Sequence, residues 1–350
     1  MTTEVVKISS LVDKNSEALA RAAEIIKCGG LVVFPTETVY GLGGDATNSV
    51  AARKIYEAKG RPSDNPLIIH ISSPEEAEKY AYTNELYYKL ADRFMPGPLT
   101  LILKARDTVP LQTRGGLDTV AVRCPENIIA RELIRLSGVP IAAPSANLSG
   151  TPSPTKAAHV REDMDGRVDM IIDGGDSDFG LESTILKIDG DVITLLRPGK
   201  ITRAELEDCV GEIALSGAVT EALAPGECVL SPGMKYRHYA PRAEVILIDG
   251  SPEIACDYIA SENIGDNTAI IAYTEDIELF SKAFPNIRIL DFGSASDEGE
   301  QAHRLFSILR DADAEGIGSV YAPLPKKEGI GLALYNRMIR AAAYNIVKLN

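Results

Sequence analysis

KGRPSDNPLIIH, residues 59–70, sets two prolines among two cations, an amide and an imidazole. Pro62 and Pro66 lack an amide hydrogen and push the residues before them away from helical angles, so no helix runs through the stretch. The apolar residues on either side therefore fall into separate elements, a helix over about 49–58 and a strand over 67–71. A stiff loop presenting Lys59, Arg61, Asn65 and His70 suits an anion, and phosphate is the commonest anion that favours planar arginine contacts. Taken alone, the stretch reads equally as a basic, solvated turn.

The same alternation extends outward. Helical spacing of Leu19, Ala22, Ala23 and Ile26 predicts a helix over roughly 16–28 that stops at Gly29-Gly30. Strands are expected at 31–34, 99–104, 119–123, 139–143, 168–172, 184–188 and 192–196, with helices near 74–80, 84–94 and 126–136. That is a mixed α/β sheet with helices packed on it. Residues 203–242 are rich in Gly, Pro and small residues with little period, which reads as a long connection. From 243 onward, strands at 245–249, 268–273, 287–292 and 319–323 are separated by helices, including 300–314 and 331–346, and indicate a smaller parallel, Rossmann-like sheet. The organisation expected is thus 1–202, a linker over 203–242, and 243–350. GIGLAL, residues 329–334, lacks the third glycine and preceding strand of a dinucleotide fingerprint and reads as a helix start.

Three further segments bear on function. FPTETVYGLGG, residues 34–44, follows the apolar run Leu31-Val32-Val33, so a strand empties into a turn rich in hydroxyls and glycine, where open α/β sheets hold ligands. PSANLSGTPSPT, residues 144–155, repeats this with Ser145, Asn147, Ser149 and Ser153. LESTILKI, residues 181–188, puts Ser183 and Thr184 at a strand mouth, and LLRPG ends another strand in Arg197. Turn chemistry alone accounts for each cluster taken separately.

Together, and in this order, the four segments resemble the YrdC-like family, with a close match to its threonylcarbamoyl-adenylate synthases. SPGMKYRHYAP, residues 231–241, followed by a further domain, is similar to the long two-domain form. The resemblance implies a twisted sheet with a concave substrate hollow. It implies a reaction of L-threonine, bicarbonate or CO2, and ATP, in which a carbamate oxygen attacks the α-phosphorus and expels pyrophosphate. Carried over residue by residue, the threonine side uses Thr38, His70, Arg123 and Ser183. The ATP side uses Arg61, Asn65, Thr119, Ala143 through its backbone, Ser145, Ser153, Arg197 and Tyr236. Lys59 and Arg61, with Arg197, are the candidate cations for phosphate charge. Mg2+ is expected on ATP, with no protein metal site. The linker segment 231–241 is expected to close over the substrates as a lid. A downstream threonylcarbamoyl transferase complex is implied as a partner, with tRNA contact left open. Two rival readings are a double-stranded RNA-binding module without catalysis and the carbamoyl-transfer protein of hydrogenase maturation, whose cysteine-rich zinc segments this sequence lacks.

Composition fits these expectations. At 350 residues the chain is long for a single core. A hydrophobic fraction of 45% with 25% charged residues is globular rather than disordered. The net charge of -14 opposes a generally basic nucleic-acid surface, but it is uneven: -4 over residues 1–200 and -10 over 201–350. MTTEVVKISS has no apolar signal core, and no run is long enough to span a bilayer, so the cytoplasm is expected. Five cysteines without CxxC pairing indicate neither a zinc site nor a disulfide framework.

Overall fold

The computed structural model describes residues 2–8, 13–222, 239–262 and 264–349. By compactness the chain divides into two units, residues 1–149 with 153–235 and residues 150–152 with 236–350.

In the first unit the order is β1 (Glu4–Lys7), α1 (Asp13–Lys27), β2 (Val32–Phe34), β3 (Gly41–Asp45), α2 (Ser49–Lys59), β4 (Ile68–His70) and a short 3-10 turn (Pro74–Lys79). Then come α3 (Glu85–Phe94), β5 (Leu99–Lys104), β6 (Thr119–Arg123), α4 (Ile128–Ser137), β7 (Ile141–Ala142), α5 (Ala157–Met164) and β8 (Met170–Asp173). The unit ends with β9 (Thr184–Asp189), β10 (Val192–Arg197), α6 (Arg203–Val210) and β11 (Ala214–Leu215). The strands form one mixed sheet in the order β1-β8-β2-β3-β7-β4-β6-β5-β9-β10-β11.

Side chains alternate between the faces of this sheet. On one face, Val32, Phe34, Ile141, Met170 and Ile172 pack with Leu19, Ala22, Ala23 and Ile26 of α1 and with Ile129, Ala130 and Leu133 of α4. On the other, Val33, Leu42, Ile69, Leu101, Val120, Val122 and Leu186 pack with α2, α3, α5 and α6 through Ile55, Tyr87, Leu90, Met164 and Leu206. The first face is built differently along β4, β6, β5, β9 and β10. There Ile68, Ile102, Ala121, Ile185 and Leu196 form a cluster of strand residues alone. Part of the sheet thus carries helices on both faces, while the rest presents a floor of buried strand side chains.

Several elements depart from the sequence reading. GLGGD is a strand rather than a turn: a Cβ at Gly43 would lie 2.7 Å from Phe34 Cε1 and 2.8 Å from Ile141 Cγ2, so glycine lets β3 pass between them. The stretch read as a connection from 203 begins with α6, whose Thr202 and Glu205 make a reciprocal capping box. The residues around 139–143 give only the two-residue β7.

The second unit runs β12 (Glu244–Asp249), α7 (Pro252–Ser261), β13 (Thr268–Ala272), α8 (Ile277–Ala283), β14 (Arg288–Asp291), α9 (Glu298–Ala314), β15 (Ser319–Pro323), α10 (Gly331–Ala341) and β16 (Ile346–Lys348). Its sheet is parallel throughout, in the order β14-β13-β15-β12-β16. The expected sheet therefore gains a fifth strand. The last helix stops short of 346 because Ala343 and Tyr344 take positive φ values of 48° and 64°, which turn the chain back into β16. The described residues contain no helix long and apolar enough to cross a membrane.

Candidate active site

One cross-strand row at the edge of this floor brings four polar residues together. The β4–β6 register pairs His70 with Arg123, β5 sets Thr100 against Arg123, and β9 sets Ile185 against Thr100. The β9–β10 register then shifts, so that Arg197 instead of Leu196 faces Ile185. A bulge inserts one residue and re-aims the side chain after it, and here it brings Arg197 onto the row. Residues directly opposite share a face, so His70, Arg123 and Thr100 stand side by side, with Ile185 between Thr100 and Arg197. Two residues further along each strand come Ile68, Ala121 and Ile102 of the floor, and two further again Thr119 opposite Lys104. Thr119 is thus at the far end of β6, about 13 Å from Arg123 at roughly 3.3 Å per residue.

The row is buried and internally ordered. Ser183, 0% exposed, shares a 2.8 Å hydrogen bond with Thr100 Oγ1 and accepts one at 3.1 Å from Arg197 Nη2, while Arg197 Nε donates to the Ser183 carbonyl at 3.0 Å. Arg197, read from the sequence on the ATP side, therefore rests on a residue of the threonine side. Arg123 Nη2 donates to Glu37 Oε1 at 2.6 Å, with both side chains about 95% buried. Burial pushes the Glu37 carboxyl up, but the Arg123 charge, its hydrogen bond and backbone donors outweigh burial and hold the group below its usual range. Burial, reinforced by the Arg123 charge, drives His70 down to about 3, so its imidazole is neutral near pH 7. His70 Nδ1 and Arg123 Nε are buried and have no hydrogen-bond partner among the described residues.

The FPTET turn is pinned above this row. Thr36 Oγ1 accepts from the amides of Thr38 and Val39 at 3.2 Å, and shares a 2.9 Å bond with Thr38 Oγ1. The Phe179 and Gly180 amides donate to the Glu37 and Thr38 carbonyls. Thr38 is fully buried.

The KGRPSDNP loop divides in function. Gly60, in the left-handed conformation at φ 61°, ends α2 by donating to the Glu57 and Tyr56 carbonyls. Lys59 turns inward, its ammonium meeting the Ser145 carbonyl at 2.5 Å, the Asn147 carbonyl at 2.7 Å and Asn147 Oδ1 at 3.2 Å. It ties the loop after β7 to the end of α2. Arg61 is 8% exposed and donates to the Asn65 carbonyl at 3.4 Å. Asn65 is 0% exposed, and neither Oδ1 nor Nδ2 meets a partner among the described residues.

In the loop after β7, the Ala143 amide is committed to the Ile68 carbonyl at 2.9 Å, so its backbone offers a ligand only the carbonyl. Ser145 Oγ donates to Asn147 Oδ1 and Ser153 Oγ to Glu182 Oε1, each at 2.5 Å. Tyr236 and most of the segment 231–241 lie outside the described residues. Tyr239, at its described end, stacks on Phe306 with ring centroids 5.5 Å apart, within the second unit. Sequence reasoning missed Glu37, Thr100 and Glu182. Glu37 lies within FPTET and Glu182 within LESTI, but a carboxylate there reads as solvated until its partner is known.

This arrangement has known counterparts. Residues 24–199 match a family model described as telomere recombination, the YrdC-like class, and residues 201–343 match the C-terminal domain model of threonylcarbamoyl-AMP synthase. The threonylcarbamoyl-AMP synthase of Pyrococcus abyssi is 44% identical over 94% of this chain and 95% of its own. That of Bacillus subtilis is 40% identical over 98% of both. The crystal structure of P. abyssi Sua5 complexed with L-threonine superposes with a TM-score of 0.88 at 40% identity, covering 99% of this chain and 100% of that one. The chain belongs to the threonylcarbamoyl-AMP synthase family, in its two-domain form.

Proposed function

We propose that this chain is a nucleotidyltransferase that makes threonylcarbamoyl-AMP and pyrophosphate from L-threonine, bicarbonate or CO2, and ATP. The observation that carries the reading is the row of His70, Arg123, Thr100 and Arg197 beside an apolar floor, with buried hydrogen-bonding capacity on His70, Arg123 and Asn65. Buried polar atoms without protein partners mark where a ligand completes the hydrogen bonding. The P. abyssi protein, crystallised with L-threonine, supports the amino-acid assignment.

In this reading Arg123 takes the threonine carboxylate through donors that Glu37 leaves free, while neutral His70 accepts a hydrogen bond and Thr38 and Ser183 contact the amino acid. Threonine's carbamate, already an anion, needs no general base. One of its oxygens bonds to the α-phosphorus as the bond to the bridging oxygen breaks, and pyrophosphate leaves with that electron pair. Arg61 and Arg197 stabilise the charge that gathers on the phosphates, as fixed cations do in phosphoryl chemistry. Lys59 serves by holding Ser145 and its loop in place, and Ser145, Ser153, Asn65 and Thr119 serve the nucleotide. Among the described residues no group of three His, Cys, Asp or Glu side chains could hold a metal ion. Mg2+ would come with the ATP phosphates. The product passes to a separate threonylcarbamoyl transferase acting on tRNA.

Pyrophosphate release should require threonine, bicarbonate and ATP together. Release that is unchanged without threonine refutes the reading.

A further inference from the structure

Glu37 is a buried carboxylate that the reaction itself does not call for. Its partner Arg123 has five N–H donors on a planar fork. One of these, on Nη2, is taken by Glu37 Oε1 at 2.6 Å, while Nε is buried with no partner among the described residues. The other Glu37 oxygen accepts from the Asn127 amide at 3.4 Å at the start of α4. The Glu37 main chain is itself fixed, its carbonyl accepting from the Phe179 amide at 2.9 Å and its neighbour Thr36 locking the turn. Removing one partner of a buried ion pair leaves the other as an uncompensated charge free to reorient.

We propose that Glu37 is a positioning residue: it clamps the Arg123 guanidinium through Nη2 so that the donors it leaves free, Nε–H among them, are held toward the amino-acid carboxylate. This rests on the function proposed above. The clamp removes rotamer freedom from Arg123 before substrate arrives, and preorganisation of this kind strengthens binding by lowering the ordering cost. The effect is confined to ligands that carry a carboxylate, which separates it from a general structural role.

The test is calorimetric titration of wild type and Glu37→Gln with L-threonine and with L-threoninol, which keeps the amine and hydroxyl but lacks the carboxylate. Wild type should prefer threonine. In Glu37→Gln the threonine affinity should fall about tenfold, the scale of one lost charge-assisted contact, with threoninol unchanged within about twofold. Unchanged threonine affinity, or an equal fall for both ligands, overturns the proposal. So does a wild type without preference between them. A wild type that fails to bind threonine refutes the underlying function, and this inference with it. Should Glu37→Gln not fold, Glu37→Asp keeps the charge but withdraws it by one methylene. It should show the same selective loss at smaller size, and an equal loss for both ligands again overturns the clamp.

Discussion

Lys59→Met separates two roles that a lysine beside a phosphate site can play. The residue is 3% exposed, and its ammonium donates to the Ser145 and Asn147 carbonyls and to Asn147 Oδ1. Methionine keeps the length of the stem and removes all three donors. Asn147 Oδ1 retains the Ser145 hydroxyl, while the Ser145 and Asn147 carbonyls lose the ammonium. Each costs about 1–3 kcal/mol, partly offset by no longer burying an ammonium, which leaves about 3 kcal/mol. For a unit of this size that lowers the midpoint of its thermal transition by about 6–12 °C. The Ser149 amide, bonded to the Lys59 carbonyl, should survive, while exchange of the Ala146 amide should speed up as the loop loosens. The KM for ATP should rise, because Ser145 and Ser153 flank the freed stretch. The measurements are calorimetry, amide exchange and pyrophosphate release. A variant with an unshifted midpoint and unchanged exchange, yet with turnover abolished, would show that Lys59 acts directly on the phosphates and would refute the argument.

Two further outcomes follow from the same row. His70, near 6.5 when unfolded and about 3 when folded, binds its proton more readily in the unfolded chain; its penalty is absent above pH 6.5 and grows as pH falls toward 3. Between pH 7 and pH 5 wild type should lose about 2 kcal/mol that His70→Gln does not lose, and parallel pH–stability curves for the two proteins would count against the burial argument. Because Thr38 and Ser183 are fully buried hydroxyls, valine should support pyrophosphate release about ten-thousandfold less efficiently than threonine, and equal efficiency would remove the polar subsite.

The α/β alternation was readable because its signals are local. KGRPSDNPLIIH does end a helix at Lys59 and open a strand at Ile68, with Gly60 and the two prolines doing what their backbones require. GLGGD was not readable as a strand, since its reason lies in Phe34 and Ile141, residues that only the finished sheet brings against it. The helix Arg203–Val210 was readable in principle from Thr202 and Glu205, yet the glycine and proline beyond it masked the signal. The site divides in the same way. Residues at strand ends, such as His70, Arg123 and Arg197, could be picked out from the sequence, whereas their shared row depends on registers across five strands and on a one-residue bulge. Glu37 needed Arg123, 86 positions away.

Asn65 gives the KGRPSDNP loop a property that its stiffness alone does not. A side-chain amide offers two donors and an acceptor oxygen, and here all of them are buried away from described partners. Such a group raises the free energy of the fold that contains it by about 1–3 kcal/mol. A ligand presenting a donor and an acceptor together removes that excess, whereas one with acceptors only, such as inorganic phosphate, removes part of it. Loop rigidity and ligand choice are therefore two readings of a single quantity, and the discrimination resides in what the protein leaves unmet.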